Sequence, residues 1–311
     1  MNIEVCELSK SFGDTKALDR ISFFLPEGAI VGFVGPNGAG KTTAIRIMAG
    51  LEQPDSGKVM LGNLNMIEYP DQVRAQIGFM PDSMPDSDVI RVWEYLDFYA
   101  RAFGLRGQAK SSAISRVAEF TNLASLPDKM LSELSKGMKQ QVSLARVLLH
   151  DPKILLLDEP AAGLDPRARI ELRACLVKLA QEGKTIFISS HVLSDLDDIA
   201  TGAVIIEKGK IVSHGKLTDL SASAAGEFCR IVLSLLELNE QILEQINGLE
   251  LVESAIKSSN KQIMVKIKGG TANYHSAMVQ IFMTGLPIIR TERPDAGIEE
   301  IFLKSTKGEV N

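Results

Sequence analysis

The sequence has few cysteines, and they lie far apart. Of its 311 residues, three are cysteine, namely Cys6, Cys175 and Cys229. None of them has the close spacing of metal ligands, and three scattered thiols do not make the disulfide framework of a small secreted domain. This pattern is typical of a protein that works in a reducing cytoplasm.

Long apolar runs and an excess of positive charge are also missing. No segment reaches the roughly 20 apolar residues of a transmembrane helix, and the first residues lack the pattern of a signal peptide. The formal net charge is −5, so no broad basic field would attract nucleic acid. With 45% hydrophobic residues, the chain can bury the core of one or two domains. We therefore expect a soluble protein that reaches a membrane only through a partner.

Residues 35–43 carry the strongest motif of the sequence. They read Gly-Pro-Asn-Gly-Ala-Gly-Lys-Thr-Thr and satisfy the G-x-x-x-x-G-K-[ST] pattern of a loop that binds a nucleoside triphosphate. An apolar stretch at 30–34 precedes the loop and a helix-compatible stretch at 44–49 follows it, which is the required order of strand, loop and helix. An ordinary glycine turn is the alternative, but every fixed position of the pattern is filled. The lysine and threonine after the last glycine favour a triphosphate with a metal over a dinucleotide.

The residues of this loop predict how it would bind phosphate. Glycine at positions 35, 38 and 40 lets the backbone turn tightly and direct N–H groups at phosphate oxygens. The N-terminus of the following helix adds a partial positive charge. Lys41 should reach the β- and γ-phosphates, and the Thr42 hydroxyl should hold Mg²⁺.

Two adjacent acids follow a buried strand further along the chain. Residues 154–160 read Ile-Leu-Leu-Leu-Asp-Glu-Pro, and four consecutive apolar residues indicate a strand covered on both faces, as in a parallel sheet. Asp158 is placed to hold Mg²⁺ through water, and Glu159 can act as the general base on the attacking water. Adjacent residues of a regular strand point to opposite sides, so the backbone must relax that alternation before Pro160 if both acids are to face the nucleotide. A surface turn with two solvated acids is the alternative.

A third motif connects the chain with a known family. Residues 134–138 read Leu-Ser-Lys-Gly-Met. Together with the loop and the acids, this segment resembles the signature of an ABC ATPase, the ATP-binding subunit of an ABC transporter. The usual form is Leu-Ser-Gly-Gly-Gln, so Ser135 and Gly137 are kept while Lys136 and Met138 depart from it. The Lys-Gly-Met form is common in the branch that serves bacterial drug, polysaccharide and ion exporters. A serine hydroxyl and glycine amides at a helix start form an anion site, although a lone Ser135 would more often be only a helix cap.

The resemblance implies a fold, an assembly and a nucleotide site. The fold is an α/β P-loop NTPase with a RecA-like, mainly parallel sheet, a small antiparallel β subdomain and a helical subdomain. In the family, two chains pack head-to-tail around two ATP molecules, the Ser135 loop serves the neighbour's ATP, and residues 162–165 resemble the loop that crosses the dimer interface. His191 matches the histidine that contacts the γ-phosphate, and Phe12 matches the aromatic residue that stacks on adenine. A structural histidine and ordinary core packing are the respective alternatives. The predicted nucleotide-binding residues are Phe12, Gly35, Pro36, Asn37, Gly38, Ala39, Gly40, Lys41, Thr42, Thr43, Ser135 and Gly137.

Asp82 is the main departure from the family pattern. After residues 77–81 the family usually has glutamine, sometimes glutamate, which touches the metal and the water and marks the loop that contacts the membrane partner. Asp82 is one methylene shorter and charged, and it can still ligate Mg²⁺ directly or through water. The predicted catalytic residues are Lys41, Glu159 and His191, and the predicted Mg²⁺ ligands are Thr42, Asp158 and Asp82.

The resemblance covers about residues 1–220, which we predict to be one ATPase domain. Residues 85–150 are helix-rich and are expected to form the helical subdomain. Trp93, Leu96, Ala100 and Phe103 repeat at helical spacing there, and we interpret this stripe mainly as core. The subdomain would turn one face toward a membrane subunit.

Residues 221–311 are predicted to form a separate α+β accessory domain. Residues 221–226 are small and predict a linker or a fraying helix end. After them the pattern gives the order β-α-β-β-α-β, which is typical of a ferredoxin-like split βαβ unit. It contains no catalytic constellation, and we favour a role in stabilising a dimer over a regulatory ligand site. The predicted elements are strands at 228–235, 249–256, 262–267 and 287–290, and helices at 239–246, 274–282 and 298–303.

The resemblance implies an ATP-hydrolysing, energy-coupling subunit of a membrane exporter. It would work with an integral membrane permease and a second copy of itself or a homologous ATPase subunit, and it would lie on the cytoplasmic face of the cell membrane through that permease. A soluble ABC ATPase acting on DNA or ribosomes is the alternative. DNA-repair members carry a long coiled coil between the phosphate loop and the signature, for which the 92 residues at positions 42–133 leave no room. Translation-type members carry two sets of motifs, and a non-hydrolysing ATP binder would be expected to lack Glu159 or His191.

Overall fold

The structure is a computed structural model that describes residues 1–84, 89–192, 194–220, 229–259, 261–292 and 298. By its internal contacts the chain separates into two compact units, Met1–Gly215 and Lys216–Asn311. Each unit has its own hydrophobic core. No described helix is both long enough and apolar enough to span a membrane.

The first unit contains two sheets and a helical region. In chain order its elements are β1 (Ile3–Phe12), β2 (Thr15–Leu25), β3 (Ile30–Val34), α1 (Lys41–Met48), β4 (Ser56–Leu61), β5 (Leu64–Asn65), α2 (Pro70–Arg74), β6 (Ile77–Met80), α3 (Val92–Ala102), α4 (Gly107–Phe120), a 3₁₀ turn (Leu131–Glu133), α5 (Lys136–Leu148), β7 (Ile154–Leu157), α6 (Pro166–Gln181), β8 (Thr185–Ser190), α7 (Ser194–Asp197), β9 (Gly202–Glu207) and β10 (Lys210–Lys216).

A six-stranded sheet of order β10-β9-β3-β8-β7-β6 forms the centre of this unit. The pairs β3–β9, β3–β8, β7–β8 and β6–β7 run parallel. Strands β3, β7 and β8 are buried along their whole length. The apolar sequences of β3 and β7 predict this burial, whereas β8 also buries Thr185, Ser189 and Ser190. Parallel neighbours end at the same edge of a sheet, so the segments after β3, β7 and β8 come together there.

The second sheet, of order β2-β1-β4-β5, is antiparallel and shares its core with the first. Phe23 of β2 reaches the rings of β3 and β8. Its ring centre lies 5.5 Å from that of Phe187, which in turn lies 4.9 Å from that of Phe33. These stacked aromatic rings fix the antiparallel sheet over the strands that support the phosphate loop. The predicted fold class of a mainly parallel sheet with a small antiparallel β subdomain is confirmed.

Helices α3, α4 and α5 form the helical region, where one interpretation of the sequence was partly wrong. Leu96 and Ala100 are buried, but Trp93 and Phe103 are 44% and 42% exposed. At about 100° per residue, Leu96 and Ala100 occupy the centre of the apolar stripe and the two aromatic residues occupy its edges. Phe103 lies beyond the end of α3 and stacks on His150, with 4.1 Å between ring centres.

The second unit has the predicted order of elements. They are β11 (Cys229–Leu235), α8 (Glu240–Asn247), β12 (Val252–Ser259), β13 (Gln262–Ile267), a 3₁₀ turn (Gly270–Asn273), α9 (Tyr274–Met283) and β14 (Ile288–Glu292). The sheet order is β12-β13-β11-β14 and all neighbours are antiparallel, which fits a split βαβ unit. The predicted linker at 221–226 lies outside the described residues, as does most of the predicted helix at 298–303.

The largest boundary error in this unit concerns one strand. The strand expected at 249–256 runs from Val252 to Ser259 instead. Leu249 N donates to Ile246 O at 3.2 Å and Val252 N donates to Leu249 O at 3.1 Å. The apolar residues Leu249 and Leu251 therefore pack on the core from a turn rather than from a strand.

Candidate functional site

The loop between β3 and α1 passes very close to neighbouring backbone. A Cβ atom at Gly40 would lie 2.5 Å from Ala17 O, and one at Gly35 would collide with Ile206 O. Gly38 and Gly40 have φ values of 79° and 107°, which L side chains rarely adopt. Only glycine at these positions allows the tight loop. Of the other predicted loop residues, Pro36, Asn37 and Ala39 lie within it, and Thr42 and Thr43 lie in the first turn of α1.

Lys41, at the start of α1, is buried with its ammonium group turned back on the loop. It is 6% exposed, and Nζ donates to Gly35 O at 2.7 Å and to Pro36 O at 3.2 Å. Burial lowers the pKa of Lys41, while the charges of Glu159 and Asp158 oppose that shift. A desolvated cation held at a glycine loop is well placed to exchange these carbonyl partners for phosphate oxygens.

The two acids lie where β7 and β8 end side by side. Asp158 is 3% exposed, and its Oδ1 accepts a hydrogen bond of 2.7 Å from Ser189 Oγ. Glu159 N donates to the same Ser189 Oγ at 2.8 Å. The backbone of Glu159 has a φ of 48°, so the strand alternation is broken at this residue. That turn brings Glu159 Oε1 to 3.6 Å from Lys41 Nζ.

Glu159 also pairs with His191, directly after β8. His191 Nδ1 lies 2.7 Å from Glu159 Oε2, and the backbone N of His191 donates to the same oxygen at 3.3 Å. The side chain of His191 is 47% exposed, so the imidazole remains accessible from solvent. The structure therefore brings together Lys41, Asp158, Glu159 and His191, all predicted from the sequence.

An open cleft of about 420 Å³ lies beside Glu159 and His191. Gln140 of α5 donates from Nε2 to Asp82 O at 3.4 Å and thereby ties the segment after β6 to the helix. Asp82 thus lies at the cleft with its backbone anchored, and its role as a Mg²⁺ ligand stays a prediction. The cleft is lined by Asn37, Asp82, Ser83, Met84, Lys136, Lys139, Gln140, Glu159, Ala162 and His191.

Of the twelve predicted nucleotide-binding residues, Asn37 is the one that lines this cleft. Three of the others, Phe12, Ser135 and Gly137, lie outside the glycine loop and the start of α1. Phe12, at the end of β1, is 51% exposed with Lys10 Nζ 5.2 Å from its ring centre, so the alternative of core packing is wrong. Ser135 caps α5 by accepting a hydrogen bond of 3.3 Å from Met138 N. Gly137 lies against α6, where a Cβ would be 2.9 Å from Ala168 Cβ.

Two residues that make hydrogen bonds to the predicted acids were missed by the sequence interpretation. Ser189 is fully buried and bonds to both acids, and Gln140 is 6% exposed and reaches Asp82. The only signal for Ser189 was a polar residue at the end of an apolar strand. The signal for Gln140 was equally weak, because an amide on a helix is usually exposed.

The oxygen donors present fit a Mg²⁺ ion bound together with a nucleotide. Mg²⁺ prefers oxygen ligands and usually keeps several waters, with one or two carboxylates and substrate phosphates. Thr42 supplies a hydroxyl beside the loop, and Asp158 supplies a buried carboxylate. In the part of the chain that the structure describes, no group of three or more His, Cys, Asp or Glu side chains could hold a metal. Phosphate and water would have to complete such a coordination sphere.

The geometry defines a P-loop NTPase cassette, and comparisons with known proteins agree. The profile of the family described as "ABC transporter" matches residues 18–162. The probable multidrug ABC transporter ATP-binding protein YbhF of Escherichia coli K12 is 34% identical over 225 residues, 72% of this chain and 39% of that protein. The Nod factor export ATP-binding protein I of Cupriavidus metallidurans is 30% identical over 99% of this chain and 98% of its own length.

A solved structure of an ABC transporter ATP-binding subunit is similar with a TM-score of 0.65 and 27% identity, covering 72% of this chain and 93% of the other. The chain therefore belongs to the family of ABC transporter ATP-binding proteins. It spans about two fifths of the length of the Escherichia coli relative.

Proposed function

We propose that this protein binds and hydrolyses ATP and thereby drives a membrane exporter. The observation that carries the proposal is the meeting of Lys41, Asp158, Glu159 and His191 at one glycine loop. The names of the relatives, which refer to multidrug transport and Nod factor export, support export as the process.

The residues divide the reaction between binding and activation of water. Loop amides and Lys41 hold the phosphates, and Phe12 offers an exposed ring for adenine. Glu159 accepts a proton from the attacking water, and His191, paired with Glu159, orients that water at the γ-phosphate. Mg²⁺, held by Thr42 and through water by Asp158, would neutralise phosphate charge. The protein contributes chiefly position and electrostatic stabilisation, as is usual in phosphoryl transfer.

We further propose a head-to-tail assembly of two ATPase chains. Ser135 caps a helix of 13 residues, and such a helix start is suited to an anion. A second copy, or a homologous subunit, would bring this anion site to the ATP bound by its neighbour. No nucleic acid partner is proposed, because the net charge is −5.

An integral membrane permease is the proposed partner of the helical region. Val89, Ile90, Trp93 and Phe98 are between 37% and 81% exposed, and exposed apolar side chains are typical of an interaction surface. Through this permease the protein would lie on the cytoplasmic face of the cell membrane. The ATPase domain would span residues 1–220, with its helical subdomain at about 85–150, and residues 221–311 would form an accessory domain.

The ATP-binding part of the proposal is tested with a matched pair of lysine variants. Lys41→Ala should remove most ATP affinity in calorimetry. Lys184→Ala should retain it, because Lys184 is also largely buried and also donates to a backbone carbonyl, that of Pro152, at 2.8 Å, but it precedes β8, at the opposite end of that strand from Ser189. Equal ATP binding by both variants would refute the assignment of the loop.

Hydrolysis and transport are tested separately. Glu159→Gln should bind ATP, lose hydrolysis and accumulate an ATP-bound dimer in size-exclusion chromatography. Hydrolysis at the wild-type rate would exclude Glu159 as the base. Detergent extraction of tagged protein from native membranes should recover a multi-span permease, whereas recovery of ribosomes or nucleic acid would favour the soluble alternative.

A further inference from the structure

The side chain of Lys136 lies across the loop that follows Glu159. Its Nζ is close to the position that a Cβ of Gly163 would occupy, and its Cε and Cδ are 3.3 Å and 3.5 Å from that position. Gly163 has a φ of 67°. Any larger residue at position 163 would displace the ammonium group and would also be strained. Lys136 is otherwise exposed to solvent. Its ammonium group can occupy this position because residue 163 is glycine and has no side chain there.

The start of α5, which carries Lys136, is packed against the start of α6. Gly137 lies against Ala168. Gln141 Nε2 donates to Glu171 Oε2 at 3.1 Å. Asp165 caps α6 by accepting a hydrogen bond of 2.9 Å from Ala168 N. The two helix starts therefore form one packed unit that extends from the Ser135 anion site to the segment after Glu159.

The segment between Glu159 and α6 is itself compact. Ala162 N donates to Glu159 O at 3.1 Å, and Leu164 N donates to Ala161 O at 3.3 Å. Ala162 and Lys136 both line the cleft that contains Glu159 and His191. These contacts link Glu159, through the short segment after it, to Gly163 and to the lysine beside it.

We propose that Lys136 is a positioning residue that couples the two ATP sites of the dimer. The proposal rests on the proposed head-to-tail assembly, in which Ser135 and Gly137 of one chain serve the ATP bound by the other. When Glu159 responds to the loss of the γ-phosphate in its own site, Gly163 shifts under Lys136. The lysine passes this shift to Ser135, its neighbour in the chain, and so to the opposite site. A glycine at position 136 would lack this contact.

The experiment measures the cooperativity of ATP hydrolysis in the full-length protein. The Hill coefficient of a two-site assembly can approach about 2, and we expect such a value for the wild type. Lys136→Gly and Gly163→Ala should each lower it toward about 1. Gly183→Ala is the matched control, because Gly183 has a φ of 88° with open space around its Cβ position. It carries the same backbone strain without the lysine contact and should keep the wild-type coefficient.

The double variant gives the sharper test. Once Lys136→Gly has removed the contact, adding Gly163→Ala should not lower the Hill coefficient further, whereas Lys136→Arg should largely preserve it. Thermal unfolding should show similar losses for Gly163→Ala and Gly183→Ala, so a folding defect is distinguished from lost coupling.

Three outcomes would overturn the coupling. The first is an unchanged Hill coefficient in both Gly163→Ala and Lys136→Gly. The second is a raised KM for ATP in Lys136→Gly at unchanged cooperativity, which would make Lys136 a direct phosphate ligand. The third is a wild-type Hill coefficient of about 1. A wild type that fails to bind or hydrolyse ATP would instead refute the proposed function.

Discussion

Ser189 offers a precise test of how the two acids are held. Its hydroxyl donates to Asp158 Oδ1 at 2.7 Å and accepts from Glu159 N at 2.8 Å. Ser189→Ala would leave a buried carboxylate oxygen and a backbone N–H without these partners. A hydrogen bond to a charged group contributes about 1.5–3 kcal/mol, and an unsatisfied buried group costs about 1–3 kcal/mol. We therefore expect a loss of roughly 2.5–6 kcal/mol in the free energy of unfolding.

Ser190 is the matched control, one residue further along β8. It is also buried, and its hydroxyl also donates one hydrogen bond and accepts one, with Val192 O at 2.9 Å and Val192 N at 3.0 Å. Both partners are neutral backbone groups of one nearby residue. Ser190→Ala should therefore cost about 1–2 kcal/mol.

The activity of the two variants should differ more than their stability. Without Ser189, Asp158 and Glu159 are free to shift, and a misplacement near 1 Å can reduce a rate by on the order of a hundredfold. Urea denaturation gives the stabilities, and steady-state ATP hydrolysis gives kcat and KM. We expect Ser189→Ala to lower kcat strongly while ATP binding persists through the loop. Equal kcat in Ser189→Ala and Ser190→Ala would refute the assignment of Ser189 as the residue that orients the acids.

Two further predictions concern residues around the same site. Asp82→Gln should increase kcat for ATP hydrolysis, because it restores the length and neutrality of the residue usual in the family. Asp82→Asn removes the charge at unchanged side-chain length and so separates the two effects. Slower turnover in both variants would show that the carboxylate itself is required. His150 should make the stability of the protein depend on pH, because burial lowers its pKa from 6.5. Its Nε2 lies 3.0 Å from Ile77 O, and its Nδ1 is buried without a hydrogen-bond partner among the described residues. His150 then binds a proton more readily in the unfolded state than in the folded state. The contribution of neutral His150 to the free energy of unfolding is therefore present above about pH 6.5 and is lost as pH falls. Chemical denaturation from pH 7.5 to 5 should show His150→Gln with a shallower slope than wild type by at most about 1.4 kcal/mol per pH unit. Identical slopes for the wild type and His150→Gln would contradict this role of His150.

The sequence was sufficient for elements whose signals are local. The glycine loop is specified by nine consecutive residues, 35–43, and the fully apolar β7 could only be a buried strand or helix segment. In the second unit, β13 has the predicted bounds because Ile263, Val265 and Ile267 alternate regularly with polar residues.

What failed depended on contacts between distant segments. Ser189 meets Asp158 only because β7 and β8 are neighbours in the sheet, an arrangement that periodicity does not encode. Helical spacing gave the correct apolar stripe on α3, but it did not show that Trp93 and Phe103, at the edges of the stripe, remain partly exposed to solvent. Nor could it show that Lys136 rests on Gly163, since 26 residues, 137–162, lie between them.

The left-handed backbone of Glu159 sets stability against activity at one position. With a φ of 48°, this residue bears a strain on the order of 1 kcal/mol that glycine would relieve and that asparagine tolerates well. Either replacement would discard the carboxylate. A library of variants selected only for heat resistance should therefore enrich glycine or asparagine at position 159, and the most durable proteins recovered would be those that no longer turn over ATP.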